Sequence, residues 1–120
     1  MNPSAPKPPA VRRFADLPVD APMPLLERRR VIGEKAMISH ITLRQGCVVP
    51  MHKHENEQFS VMVSGRLRFV FEDGLPPMTL GAGEVIHLPS NLPHGAEALE
   101  ETIVLDVFSP PSATTGIDRR

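Results

Sequence analysis

Short β-branched runs recur along this chain, each cut off by a turn-forming residue before a helix could establish itself. KAMISHITL (35–43), QFSVMVS (58–64), RLRFVF (66–71), EVIHLP (84–89) and TIVLDVF (102–108) are all of strand length. No window keeps apolar residues at i, i+3, i+4 and i+7 for the dozen positions that a stable helix needs. Breaks at Gly46, Gly65, Glu72-Asp73-Gly74, Gly81 to Gly83 and Ser90-Asn91 supply the turns. The pattern predicts an all-β fold. A chain of 120 residues has material for one core, and a small antiparallel β-barrel or jelly roll hides its sheet edges while leaving a mouth open to a ligand.

The ends read differently. Seven of the fourteen prolines lie in the first 24 residues, where fixed φ angles and missing amide donors defeat both helix and central strand. We expect a Pro-rich arm over residues 1–24, disordered to about residue 10 and extended beyond, then a barrel over 25–112 and a flexible tail over 113–120. Aromatic residues are only 4% of the chain, with no Trp or Tyr, so aliphatic side chains must build the core.

Thirteen basic against fourteen acidic residues leave a formal charge of −1, too little field to gather nucleic acid or an acidic membrane. The dense run Arg28-Arg29-Arg30 reads as a solvated strand edge and receives no function. Cys47 has no second cysteine to pair with, and between Gly46 and Val48 it reads as a small buried side chain. No apolar stretch has signal-peptide or membrane-spanning length, so a soluble cytoplasmic protein is expected.

The chemistry concentrates in His52-Lys53-His54-Glu55-Asn56-Glu57-Gln58. On a strand His52 and His54 point the same way and lie about 6 to 7 Å apart, close enough to converge on one ion. Gln58 shares their parity, and a short hairpin would return its amide oxygen over the two imidazoles. A fourth donor, His94, follows two prolines and a turn in Leu88-Pro89-Ser90-Asn91-Leu92-Pro93-His94. Imidazole suits first-row divalent metals, and an uncharged ligand set would leave the ion's charge to attract an anionic ligand. An HxH pair also occurs incidentally on exposed loops, and Lys53, Glu55 and Glu57 are what such a loop carries.

Two motifs bear on this choice. Gly46, five residues, His52-x-His54, three residues, Gln58, six residues and Gly65 resembles the first cupin motif, G(x)5HxH(x)3–4E(x)6G. Gly83, five residues, Pro89 and then His94 resembles the second, G(x)5PxGxxH(x)3N, the resemblance covering about residues 35 to 111. Gln58 stands in place of the usual Glu, Asn91 in place of Gly, and Ala98 in place of the closing Asn.

Gln58, together with HGAEALEETIVLDVFSPP (94–111), is similar to small cupins of the KdgF type, the pectin-degradation proteins. That resemblance implies ketonisation of 4,5-unsaturated monouronates and one divalent transition metal (Ni, Zn, Fe or Mn) held by His52, His54, Gln58 and His94. It implies Asp106 as catalytic residue and Phe108 as substrate-binding residue. The family's Arg beyond the last strand falls on Ser112, which cannot clamp a carboxylate in two-point geometry. Arg66 and Arg68 are expected to face water, and His40 and His87 to be satisfied strand residues. The implied partner is a small anionic substrate such as a sugar acid, and by analogy with other cupins the chain forms a homodimer, with LLERRRVIG a candidate pairing strand. A metal-dependent oxygenase and a non-catalytic small-acid or sugar-binding cupin are the competing readings.

Overall fold

The computed structural model describes residues 5–115. Parts of the expected arm and tail, residues 1–4 and 116–120, lie outside the described residues. A single 3-10 turn, Phe14–Asp16, precedes ten strands: β1 (Asp20–Met23), β2 (Leu26–Ile32), β3 (Met37–Leu43), β4 (Val48–His52), β5 (Glu57–Ser64), β6 (Arg66–Phe71), β7 (Met78–Gly81), β8 (Val85–Leu88), β9 (His94–Ala98) and β10 (Thr102–Ser109). They form a six-stranded sheet in the order β1-β2-β3-β10-β5-β8 and a four-stranded sheet in the order β4-β9-β6-β7, with every pairing antiparallel. The fold is all-β, a jelly-roll barrel.

From β3 onward the chain changes sheet at every connection except β6 to β7. Consecutive strands therefore lie on opposite walls of the barrel. Gly65 makes one such crossing, from β5 to β6, at a φ of 87° that L side chains rarely adopt. A Cβ there would also lie 2.3 Å from the Glu101 carbonyl oxygen, so only glycine fits.

Strand alternation sets the core. Met37, Ser39, Ile41 and Leu43 of β3 point inward while Ile38, His40 and Thr42 point out. Leu67 and Phe69 of β6, Met62 of β5, Leu88 of β8 and Val104 of β10 meet Ile41 and Leu43 in one cluster, each at most 5% exposed. Burying each such side chain contributes roughly 1.5–3 kcal/mol. Cys47 joins this cluster, its Sγ 3.7 Å from the Pro24 carbonyl oxygen, and burial pushes its thiol up from the usual range.

The Pro-rich lead-in contributes β1, which pairs with β2 through an irregular register between Asp20 and Met23. At the other end Ala113 accepts a hydrogen bond from Arg30 Nη1 at 2.9 Å, and Thr115 is buried. Arg28-Arg29-Arg30 is not a solvated edge. Strand β2 is paired on both sides, and Arg28 turns into the barrel with 4% exposure. Its Nε and Nη2 donate to Asp20 Oδ1 and Oδ2 at 3.0 and 2.7 Å, a two-point pair that makes burial of the charge tolerable. The Arg28 hydrogen bond is the main cause that holds the Asp20 carboxyl below its usual value, with burial opposing.

Candidate metal centre

His52 ends β4 and His94 begins β9, and the two are register partners across that strand pair. His54 follows in the loop that crosses to β5. The ring centroids are 5.6 Å apart for His52 and His54, 4.5 Å for His52 and His94, and 5.2 Å for His54 and His94. One ligand nitrogen from each lies within 4.8 Å of the others, so these three residues can hold a metal ion.

Backbone contacts fix which nitrogen faces inward. His52 Nδ1 lies 2.8 Å from the Pro50 carbonyl oxygen, His54 Nδ1 3.0 Å from that of Asn56, and His94 Nδ1 2.9 Å from that of Leu92. A carbonyl only accepts, so each Nδ1 carries the proton and each Nε2 is left with a lone pair. Burial is the main cause that lowers the His52 imidazole's pKa and takes that of His94 to about 4, the Pro50 and Leu92 hydrogen bonds opposing. Both rings are neutral at neutral pH, the form that coordinates a cation.

Gln58 is buried in β5, with Oε1 3.0 Å from His54 Nε2. With the proton on Nδ1, that contact sets two lone pairs against each other. Such an arrangement is unfavourable by itself and fits a shared cation, which is the structure's own support for a metal here. Three imidazole nitrogens and one amide oxygen suit a borderline divalent transition ion.

The loop that carries these donors is tied down by Asn56, which the sequence reading passed over as part of a polar turn. Asn56 is 3% exposed, and its Nδ2 donates to the Pro110 carbonyl oxygen while its own carbonyl receives the His54 proton. On the second motif, Asn91 adopts a φ of 65° where the family pattern has Gly. Asn tolerates that left-handed conformation, so the turn before His94 survives the exchange.

Asp106 and Phe108 point inward from β10, where Asp106 is paired with Ser39 and Ser60, and Phe108 with Met37 and Gln58. Phe108 is 4% exposed and meets the His54 ring edge-on at 5.7 Å between centroids. Ser60 Oγ donates to Asp106 Oδ1 at 2.6 Å and accepts from Gln58 Nε2 at 2.9 Å. Burial raises the Asp106 pKa to about 6, with the Ser60 and Gln58 hydrogen bonds opposing. A carboxyl near that value can both take and return a proton at neutral pH.

One cavity is lined by Arg28, His52, Gln58, Ser60, His94 and Asp106, with apolar side chains between them. Ser112 takes no part in it, its hydroxyl donating to the Thr114 carbonyl oxygen at 2.6 Å. Arg66 and Arg68 are exposed on the outer face of β6, as expected. His40 packs on Phe14, and His87 pairs with Glu57 at 2.7 Å, both away from the cavity. The cation on the cavity wall is Arg28, which the sequence reading missed.

A jelly-roll barrel with histidines converging from β4, the loop after it and β9 has the architecture of a cupin. The cupin domain family matches residues 39–108, more than half the chain, and the chain belongs to that family. A sequence comparison with curated proteins gives no significant match. Among solved structures, an RmlC-like cupin from Shewanella frigidimarina superposes with a TM-score of 0.78 at 24% identity, covering 85% of this chain and 91% of that one. KdgF from a Halomonas species gives 0.75 at 26% identity, covering 82% and 92%. Bacillus subtilis oxalate decarboxylase, a protein with Mn(II) centres, gives 0.76 at 24% identity over 86% of this chain but only 30% of its own.

Proposed function

We propose that this cupin is a metal-dependent isomerase that opens a 4,5-unsaturated monouronate to its linear keto form. The observation that carries the reading is the unbroken run of contacts from His54 through Gln58 and Ser60 to Asp106, which sets an inward-facing carboxyl beside the candidate metal donors. His52, His54, Gln58 and His94 would hold the ion. A divalent cation there supplies a Lewis acid for the oxygen that gains charge as the ring opens.

The remaining work falls to the chain's own residues. Asp106 takes the proton of the anomeric hydroxyl as the ring carbon–oxygen bond breaks, and the electron pair passes to the former ring oxygen as an enolate. The same proton then returns to carbon, so the product is an isomer of the substrate and no co-reactant is consumed. Phe108 packs against the ligand and limits water. Arg28, fixed by Asp20, supplies positive charge for the substrate carboxylate in place of the guanidinium that Ser112 lacks.

Likeness to oxalate decarboxylase extends to the fold alone and brings no second reading. No described helix is long and apolar enough to cross a membrane. We infer a homodimer, supported by the apolar Phe59, Val63 and Val85 exposed on β5 and β8. The test is to mix freshly generated unsaturated monouronate with metal-loaded protein. Loss of the enol chromophore should accelerate with metal and stop with a chelator; decay no faster than in buffer overturns the reading.

A further inference from the structure

A glutamine at a metal site poses a problem that a glutamate does not. A carboxylate offers oxygen at both ends, whereas an amide has a donor end that repels a cation and an acceptor end that binds it. Something must hold Gln58 the right way round. Its Nε2 donates to Ser60 Oγ at 2.9 Å, and Ser60 Oγ donates its only proton to Asp106 Oδ1 at 2.6 Å. Because that proton is committed to a carboxylate, the hydroxyl oxygen can only accept, and only the NH2 end of Gln58 can satisfy it. The carbonyl end is thereby turned toward His54 Nε2, 3.0 Å away.

We infer that Ser60 is a positioning residue for the metal centre: its hydroxyl, polarised by Asp106, fixes Gln58 with the amide oxygen facing the ion. The inference rests on the reading that His52, His54, Gln58 and His94 hold a metal, and it deepens that reading. Ser60 is 1% exposed and Gln58 5%, so the contact between them is shielded from bulk solvent. The three residues come from β5 and β10, with Ser60 and Asp106 direct register partners, so the chain of contacts is set by strand pairing rather than by loops. Gln58 also hydrogen-bonds Asp106, so loss of the hydroxyl removes one of the two acceptors that hold its NH2 end. The amide is then freer to pivot and donate an N–H to the His54 lone pair, a hydrogen bond that competes directly with metal.

The test uses the full chain, stripped with a chelator and titrated with Co(II), reading affinity by competition and the ligand field from the visible d–d bands. Ser60→Ala should weaken Co(II) binding by about 10- to 100-fold and change the band envelope, the size of effect seen when a ligand loses its outer partner. Ser60→Thr, which keeps a hydroxyl, should bind as the parent does. The decisive variant is Ser60→Ala with Gln58→Glu: a carboxylate has no wrong end, so the double variant should regain most of the lost affinity. The metal-free Ser60→Ala protein should unfold at the parent's temperature within a few degrees. Unchanged Co(II) affinity and bands in Ser60→Ala would overturn the inference alone. Weak binding that Gln58→Glu fails to recover would overturn it too, as a defect of β5 rather than of amide direction. A parent protein that binds no Co(II) would overturn the metal reading and this inference together.

Discussion

Two rungs of the same barrel interior, one residue pair apart on β10, have opposite chemistry. Val104 is flanked by Ile41 on β3 and Met62 on β5, all buried hydrocarbon. Asp106, about 6 to 7 Å further along, is flanked by Ser39 and Ser60. Both rungs are paired to β3 and β5 and aim inward, and the one irregularity, a register shift against β5 just before Val104, does not account for the difference in chemistry. The Val104 rung removes apolar surface from water and stabilises the fold. The Asp106 rung buries a carboxyl at a cost visible in its pKa of about 6, and that cost is retained where the proposed chemistry needs an acid and base.

Exchanging the chemistries of the two rungs should have the largest effect. Val104→Asp places an unpaired carboxyl in a 2% exposed apolar site and should cost more than about 4 kcal/mol, leaving little folded protein in urea titrations. Asp106→Val, two residues on, should change stability by no more than about 1 kcal/mol in either direction while abolishing turnover. If the two variants unfold at similar urea concentrations, the rungs do not differ in the way described.

Next in size is Phe69→Ala. The ring is 3% exposed in the central cluster, and its removal should cost about 3–5 kcal/mol while Co(II) affinity of the surviving fold stays near the parent's. His94→Ala should do the reverse. Metal at 100 times its dissociation constant should raise the parent's stability by about 2.7 kcal/mol and that of His94→Ala by almost nothing. The check is thermal unfolding of each protein with and without metal; a His94→Ala protein still stabilised by metal removes His94 from the site.

How much of this contrast was legible in the sequence depends on whether one strand or several decide a residue's place. Strand β6 was read at its true limits because arginines alternate with buried apolar residues in RLRF. Asp106 and Phe108 fell on one face by strand parity alone, in the otherwise apolar run IVLDVF. His52, His54, Gln58 and His94 were grouped by strand parity and by the resemblance to the two cupin motifs, and the structure brings the three histidines together. Ser60 could have been found, since it shares parity with Gln58 two residues earlier on an uninterrupted strand. Arg28 could not: three adjacent arginines give no clue to which one turns inward, and the choice is made by Asp20 arriving from β1. Asn56 hid in the same manner, its amide being satisfied by Pro110 at the far end of the chain.

The smallest expected effect is also the most specific to the polar rung. In the metal-free protein His94 has a folded pKa of about 4 against an ordinary value of 6.5, so between those limits the unfolded chain binds the extra proton and stability falls as pH falls. Asp106 has the opposite sign. Its folded pKa of about 6 lies above the ordinary 3.8, so between those limits the folded chain binds the extra proton and stability rises as pH falls. From pH 6 to 4 the two slopes oppose one another. Asp106→Asn removes one of them and leaves the His94 slope, reinforced by the lowered His52, uncompensated. Unfolding free energies of the metal-free proteins from urea titrations at pH 6 and 5 should therefore drop further for Asp106→Asn than for the parent, by about 1 kcal/mol per pH unit. Parallel curves would mean that the two groups do not share one desolvated interior.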